Sequence, residues 1–277
     1  MMPVRHDELT RARAALDLVA EGPIFLQSNL ARYGIGGDAP RAVSLWRNAD
    51  WTSFCGLTNS GVLMPQMRDA TDADWAALPA ALTGRRMVGM NGTAPQIARC
   101  AEVLDLPPAQ LDRIEPCFAL DLADIVLPAS DGLSLAAPTD ADLPMLTDWR
   151  AAYRAEVMGE PPAAARTSAS AELPLWLAED GLRLLWRGGE PVGLTGINAR
   201  HGDLVQVGAV YTPPGLRGQG IARTAVALHL SELRRAGFRR AFLFAATDAA
   251  AHAYCAIGFA PAGQMRLVVL PGKGALL

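Results

Sequence analysis

The sequence predicts an α/β protein in which mixed sheets are flanked by helices. Two observations indicate this class: short apolar runs typical of strands alternate with segments of helical periodicity, and glycine-containing turns separate them. With 277 residues and 51% hydrophobic content, the chain can bury one large core or two cores of about 130 residues each. We expect two domains, residues 1–127 and 128–277, divided at the turn-rich segment PASDGLSLAAPTD.

The first half alternates short strands with helices. After a short N-terminal helix, strands are expected at AVSLWR, SFCGL and VLMPQM, the last two joined as a hairpin by the turn TNSG. A helix over DADWAALPAAL and a strand at RMVGM follow. A helix from Pro95 to Leu104 and a strand near CFALDL complete this half, which is therefore predicted as an α/β domain.

The second half begins with an amphipathic segment, ADLPMLTDWRAAYRAEVMG, then a Pro/Ala/Ser-rich break at 161–171 and a helix near ELPLWLAED. LRLLWR, PVGLTGIN and LVQVGAVYT read as three antiparallel strands, because the turns GGE and RHGD separate them at hairpin spacing. A long helix from about Gly220 to Ala236, a strand at AFLFAA, a short helix through Tyr254 and a strand at MRLVVL follow.

A glycine-rich loop, TPPGLRGQGIARTAV at 212–226, connects the third strand to the long helix. Gly218 and Gly220 let backbone N–H groups approach a ligand at the positive end of the helix, and Ala222 is small enough for close packing. This pattern is typical of an anion site. The alternative is a surface turn in which Gly220 only caps the helix. A dinucleotide loop of the form G-x-G-x-x-G fits poorly because Arg223 occupies the third glycine position.

Residues 130–272 resemble the GNAT acyltransferase superfamily at two motifs. Arg217, Gly220 and Ala222 match the family's acyl-coenzyme A motif R/Q-x-x-G-x-G/A. Four further residues match the spacing of the family's closing segment: Ala250, Tyr254, Gly258 and Phe259. The resemblance implies a C-terminal GNAT fold whose central sheet is splayed near its middle, with acetyl-coenzyme A (acetyl-CoA) as co-substrate.

The resemblance also implies which residues bind coenzyme A. The pantetheine arm is expected in the gap of the sheet, against the strand end at Val210 and Tyr211. The phosphates are expected on the loop, with these contacts: Arg217, Gly218, Gln219, Gly220, Ile221, Ala222 and Arg223. No metal is predicted, because the four cysteines are dispersed and lack histidine at ligand spacing.

Acyl transfer to an amine needs a polarised carbonyl, a neutral amine and a proton for the leaving thiolate. Tyr254 is the predicted proton donor; the alternative is a ring packed in the core with a solvated hydroxyl. Several family members carry a glutamate where this chain has Gln206, which cannot act as a base. Other ionisable candidates are His201, Glu156, Glu160 and Asp148, each with a solvated surface position as the alternative. Asn198, which ends a strand, is a candidate for orienting the substrate, with a turn residue as the alternative.

The predicted function is direct transfer of an acetyl group from acetyl-CoA to the primary amine of a small molecule or peptide. The alternative is a coenzyme A-binding sensor or interaction protein without effective catalysis, which Gln206 favours. Cys255 is interpreted as a core residue, so an acyl-cysteine intermediate is disfavoured.

Composition excludes other classes of partner. A net charge of −3 provides no broad basic field for nucleic acid or for an anionic membrane. The N-terminal segment is charged throughout and no apolar run reaches the length of a membrane helix. We therefore expect a cytoplasmic protein with reduced cysteines, either a monomer or a homodimer.

The first half resembles, weakly, the degenerate halves of tandem GNAT proteins. The segment RRMVGMNGTAPQIAR repeats the order strand, glycine turn, helix, but Gly89 and Gly92 do not reproduce the motif spacing, so no second coenzyme A site is predicted. The alternative is an unrelated α/β cap. Four aromatic residues are interpreted as core, with an acceptor pocket as the alternative: Tyr33, Trp46, Trp51 and Phe54.

Overall fold

The computed structural model describes residues 1–20 and 22–277. The chain forms two compact units, which we call unit 1 (Met1–Pro116 with Gly263–Leu277) and unit 2 (Cys117–Ala262). These units differ from the predicted domains 1–127 and 128–277, because 117–127 lie in unit 2 and 263–277 lie in unit 1. The reason is the strand exchange described below.

Helices and strands alternate along the first part of the chain, as the sequence predicts. A 3₁₀ turn (His6–Glu8) precedes the first helix. The elements are β1 (Met2–Pro3), α1 (Leu9–Val19), α2 (Phe25–Tyr33), β2 (Val43–Arg47), β3 (Phe54–Thr58), β4 (Val62–Gln66), α3 (Asp72–Ala76), α4 (Leu78–Leu82), β5 (Arg86–Met87), β6 (Gly89–Thr93), α5 (Ala94–Val103) and β7 (Leu111–Asp121).

The remaining elements follow the same kind of order. They are β8 (Leu133–Ala136), α6 (Leu143–Met158), α7 (Pro162–Ala178), β9 (Leu182–Arg187), β10 (Glu190–His201), β11 (Leu204–Tyr211), α8 (Ile221–Arg235), β12 (Arg240–Phe244), α9 (Asp248–Cys255), β13 (Ala260–Val269) and β14 (Ala275–Leu276). The three predicted antiparallel strands β9, β10 and β11 are confirmed.

The predicted break at 161–171 is wrong, because this segment forms most of α7. Pro162 stands at the first helical position, where its missing N–H costs nothing, and the alanines that follow are strong helix formers. Four buried residues at helical spacing then pack the helix within unit 2: Ala165, Ala169, Leu173 and Trp176.

Both units contain a mixed sheet with flanking helices, which confirms the predicted fold class. In unit 1, β1, β2, β3 and β4 are antiparallel neighbours, β6 lies parallel to β4, and β13 lies antiparallel to β6. In unit 2, β8, β9, β10 and β11 are antiparallel neighbours, β12 lies parallel to β11, and β7 lies antiparallel to β12. A small pair, β5 and β14, belongs to unit 1.

The two units repeat one order of elements and exchange their closing strands. Each unit has the same order of main elements: a strand, two helices, three antiparallel strands, a helical segment, a parallel strand and a helix. The strand after α5 is β7, which pairs with β12 in unit 2; the strand after α9 is β13, which pairs with β6 in unit 1. Unit 1 is therefore made of two separate segments of the chain, and unit 2 is the continuous segment between them.

Apolar cores form on both faces of the sheet in unit 2. One face packs Val205 and Val207 of β11 against Val226 and Leu230 of α8. The opposite face packs Tyr211 with residues of α6 and α7. In unit 1, the side chains of Trp46, Trp51 and Phe54 are buried, so their interpretation as core residues is confirmed.

Among the described residues, no helix combines the length and apolarity needed to cross a membrane.

Candidate active site

The central sheet of unit 2 opens between its two parallel strands. β11 and β12 are in register only from Leu204 to Gln206 on one strand and from Arg240 to Phe242 on the other. β11 continues to Tyr211 beyond this pairing. The opening lies at the carboxyl ends of the strands, where ligands bind in open α/β sheets, and directly precedes the glycine loop.

A bulge in β11 lies at this opening. Leu194 opposes Tyr211 while Gly196 opposes Gly208, so β11 contains one residue more than β10 over this stretch. Ala209, within the bulge, has a φ of +50°, a conformation that strains a residue with a Cβ atom. A bulge interrupts the ladder with β10 and re-aims the backbone groups near it.

A second bulge, on β10, places Asn198 over β11. Its carboxamide packs on Gly208 so closely that a Cβ atom there would lie 2.3 Å from Asn198 Nδ2. The Asn198 Oδ1 atom is buried and has no hydrogen-bond partner among the residues that the structure describes. Asn198 is thus part of the strand pair beside the opening, and not of a turn.

The loop after β11 has the conformation of an anion-binding nest. Arg217 is extended, whereas Gly218 and Gly220 are both left-handed with φ of +78°. Turns with left-handed glycines of this kind can direct N–H groups toward one side, where an anion is bound. Gly220 is the N-cap of α8 and no side chain caps the helix, so its first-turn N–H groups are left for a ligand.

Two arginines lie directly at the nest. A Cβ atom on Gly220 would lie 3.0 Å from Arg223 Nε, so this guanidinium lies against the loop backbone. Arg187, at the end of β9, donates from Nη1 to Gln219 Oε1 over 3.0 Å. Sequence reasoning missed Arg187, because a strand-end arginine carries no local signal of what lies beside it in the fold.

Arg217, the first residue of the motif, is held by a carboxylate. Its Nη1 and Nη2 atoms each donate to one oxygen of Glu156 over 2.8 Å, and its Nε donates to the Thr212 carbonyl over 3.1 Å. The hydrogen bond from Arg217 lowers the pKa of Glu156. Glu156 is thus placed at the loop as a paired anion, which does not suit it as a base.

The other carboxylate candidates are also paired with arginines. Glu160 accepts from Arg154 Nε over 2.9 Å. Asp148 forms an ion pair with Arg166. His201 pairs in register with Leu204, at the end of β11 remote from the loop.

Gln206 is completely buried at the start of the opening. Because side chains alternate along a strand, it faces away from Val205 and Val207, toward the face that carries α6 and α7. At the position of a family glutamate, this side chain offers a carboxamide and no proton acceptor of useful basicity.

Tyr254 lies on α9, whose N-cap is Thr247; the Thr247 side chain accepts a hydrogen bond from the Ala250 N–H. The Tyr254 side chain is 6% exposed, and its ring centroid lies 6.1 Å from that of Phe259. The ring therefore packs in the core of unit 2, while the role of its hydroxyl stays a prediction. Cys255, next to it, is exposed, so its interpretation as a core residue is wrong.

The equivalent loop of unit 1 is built differently. The helix after β4 is capped by the side chain of Thr71, whose N–H in turn donates to Asp74, and Asp72 adds a second acid to its first turn. Gln96 Oε1 accepts from the Met67 N–H over 2.6 Å, at the end of β4. A capped, acidic helix start repels anions.

Residues 144–259, which lie within unit 2, match the model of the Acetyltransferase (GNAT) family. This part of the chain is therefore similar to the GNAT family, whose members carry out acyl transfer. No curated protein matches the chain in sequence.

Solved structures share the fold over nearly the whole chain at low sequence identity. A GNAT-family acetyltransferase from Colwellia psychrerythraea is 12% identical with a TM-score of 0.59, covering 96% of this chain and 98% of its own. A GCN5-related N-acetyltransferase from Kribbella flavida is 17% identical with a TM-score of 0.58, covering 94% and 95%. A tandem GNAT protein from the clavulanic acid biosynthesis pathway is 16% identical with a TM-score of 0.56, covering 96% of both chains.

Within the described residues, no group of three or more His, Cys, Asp or Glu side chains is arranged to hold a metal ion.

Proposed function

We propose that the protein is an N-acetyltransferase that uses acetyl-CoA and a primary amine, in direct transfer through a ternary complex. The observation that carries this proposal is the uncapped, left-handed nest at Gly218 and Gly220, placed where β11 and β12 separate. Coenzyme A would place its phosphates at the nest and its extended pantetheine arm in the opening between β11 and β12.

The residues present fit coenzyme A. The nest N–H groups and the guanidinium of Arg223 would hold phosphate, and Arg187 adds a third cation beside Arg217. The strand end at Val210 and Tyr211, next to the bulge, would hold the amide groups of the pantetheine arm. Gln219, Ile221 and Ala222 complete the proposed contacts through their backbone.

Bound acetyl-CoA supplies an activated thioester carbonyl. In this proposal the Tyr254 hydroxyl donates a proton to the departing sulfur, and remote binding of the phosphates positions the thioester. Gln206 leaves the strand without a carboxylate base, so the amine enters neutral or loses its proton to water. Asn198 Oδ1, beside Gly208, is a candidate acceptor for an N–H of the amine.

A coenzyme A-binding sensor is the second candidate. The buried Gln206 and the pairing of Glu156, Glu160 and Asp148 with arginines favour it, because a general base is missing from the strand and these three carboxylates are engaged. Both candidates share the same cofactor site and differ in turnover.

Two measurements separate these candidates. Calorimetric titration with acetyl-CoA should show binding in either case, whereas release of free coenzyme A should depend on an added amine only for the enzyme. A panel of small-molecule amines and peptides should include at least one that raises this release above the amine-free rate. Binding without any amine-dependent release would favour the sensor, and absence of binding would overturn both.

We propose a monomer or homodimer that acts in the cytoplasm without nucleic acid or membrane partners. Support for a reducing compartment comes from the cysteines, which are all free thiols.

A further inference from the structure

In the glycine-rich loop, the positive charge of Arg217 is paired with the carboxylate of Glu156. Arg217 directs its two terminal nitrogens to Glu156 and its Nε to the Thr212 carbonyl, so at least three of its five N–H donors are in use. Both partners are half exposed, 44% for Arg217 and 51% for Glu156. The pair is therefore formed at a surface that a ligand can reach.

The carboxylate of Glu156 occupies the donors that suit a phosphate best. Arginine binds carboxylate and phosphate with the same planar pair of N–H donors, so the two anions compete for one geometry. A phosphate beside an intact pair would also lie close to a negative carboxylate, and like charges repel. Binding of a pyrophosphate at the nest therefore favours separation of Arg217 from Glu156.

The pair also connects the loop to α6. Glu156 lies in the last turns of that helix, and Trp149, two turns earlier, contacts Tyr211 at a centroid distance of 5.6 Å. The Arg217 guanidinium lies 6.0 Å from the Tyr211 ring centroid. Glu156 reaches the loop from a different element, so it is an intramolecular ligand of the loop and not part of the loop's own turn.

We infer that Glu156 is an affinity-determining residue of the coenzyme A site, which holds Arg217 while the loop is empty and releases it to the incoming phosphates. This inference rests on the proposed function, because coenzyme A is the ligand that supplies those phosphates. Glu156 weakens binding of coenzyme A by competing for Arg217.

The test is calorimetric titration of free coenzyme A into the full-length wild type and Glu156→Gln. An exposed ion pair contributes about 0.2–1 kcal/mol, which corresponds to a gain in affinity of about 1.4- to 5-fold on its removal. The matched control is Asp203→Asn, which removes an exposed carboxylate paired with Arg240 at 2.7 Å, at the other end of β11. The affinity of this control should equal that of the wild type.

A second pair of variants separates competition from a structural effect. In the Arg217→Ala background, Glu156→Gln should raise the affinity less than it does in the wild type, because only the repulsion between carboxylate and phosphate is relieved and no arginine is released. A larger gain in affinity in the wild-type background than in the Arg217→Ala background supports the inference, and an equal gain in both backgrounds overturns it. Unchanged or weaker binding by Glu156→Gln overturns it, since a carboxylate that merely positions Arg217 would weaken binding when removed.

Failure of the proposed function gives a different result. If neither the wild type nor Glu156→Gln binds coenzyme A, the cofactor assignment and this inference both fall. If the wild type binds and Glu156→Gln binds no more tightly, only the role of Glu156 is overturned. The melting temperature of each variant should be close to that of the wild type, which checks that every variant is folded.

Discussion

Gly220 has a left-handed backbone conformation that favours glycine, and it lies against the Arg223 side chain. Its φ is +78°, and a Cβ atom would lie 3.0 Å from Arg223 Nε. We predict that Gly220→Val weakens binding of acetyl-CoA at least tenfold, about 1.4 kcal/mol, because a branched side chain would fill the nest. Calorimetric titration measures this effect.

The control for this variant is Gly202→Val in the turn between β10 and β11. Gly202 also has a positive φ, of +55°, and no atom lies within 4 Å of its would-be Cβ. Both variants carry the backbone strain, about 1–2 kcal/mol, but only Gly220→Val obstructs the nest. An unchanged dissociation constant for folded Gly220→Val contradicts the phosphate assignment.

Tyr254 provides a test of proton donation that leaves packing intact. Tyr254→Phe keeps the ring that packs near Phe259 and removes only the hydroxyl. Because general acid catalysis typically contributes about 10²- to 10⁴-fold, we predict that kcat falls at least roughly tenfold, with water as a weaker donor. The affinity for coenzyme A should stay as in the wild type. Steady-state kinetics with an active amine measure both.

Tyr33→Phe in unit 1 is the matched control, since it removes a hydroxyl outside residues 144–259, which match the GNAT family model. Its kcat should not change. If Tyr254→Phe keeps full kcat into the alkaline range, Tyr254 contributes only packing to the site and the proton comes from another donor.

Helix α8 contributes its N-terminus to the nest and buries a histidine farther along. His229 is 1% exposed, and neither of its ring nitrogens has a hydrogen-bond partner among the described residues. Burial lowers the pKa of His229 to about 3; the charges of Arg183 and Arg200 act in the same direction, and Asp180 opposes them. The imidazole is therefore neutral in the folded protein.

This burial predicts a loss of stability in mild acid. The unfolded chain binds a proton at His229 near pH 6.5 and the folded chain does not. The stability is thus complete above that pH and falls as the pH decreases toward 3, by up to about 1.4 kcal/mol per pH unit. Urea unfolding between about pH 7 and pH 5 measures the slope, since most carboxylates titrate lower.

His229→Leu should remove this part of the slope, because leucine binds no proton. His252→Gln, at an exposed histidine on α9, is the control and should keep the wild-type slope. If His229→Leu and the wild type lose stability equally between about pH 7 and pH 5, the buried imidazole does not cause the loss.

The exchanged strands determine how the chain can be divided. Residues 117–121 of β7 pair with every residue of β12, and Phe118, Leu120 and Leu122 lie in the core of unit 2. A fragment that begins at residue 128 lacks these side chains, which contribute about 1.5–3 kcal/mol each when buried. Their sum is comparable with the stability of a whole domain, about 5–15 kcal/mol.

We therefore predict that fragment 128–277 does not fold, whereas fragment 117–262 melts cooperatively and binds coenzyme A. Circular dichroism during heating and calorimetric titration measure the two properties. Cooperative melting of 128–277 with the affinity of the full chain would show that β7 is dispensable for unit 2.

Local patterns determined the elements and the position of the loop. Strand runs such as LVQVGAVYT and the helix after Gly220 could be predicted because periodicity, glycine and turn residues act on neighbours in sequence. The motif residues Arg217, Gly220 and Ala222 were assigned by resemblance to a family motif, and their contacts with coenzyme A stay a prediction. At 161–171, proline and serine suggested a break, and the structure shows a helix because buried alanines and Trp176 pack it in unit 2.

Only the tertiary structure decided which distant groups meet. Glu156 and Arg217 are 61 positions apart and Arg187 and Gln219 are 32 apart, so no local pattern relates them. The exchange of β7 and β13 is likewise invisible in sequence, because antiparallel pairing with β12 or β6 depends on which edge is free and not on the strand's own residues. The sequence by itself determined the fold class, most of the elements and the position of the glycine-rich loop, through local conformational preferences. The pairing of Arg217 with Glu156 and the limits of the two units depend on contacts that form only when the chain is folded.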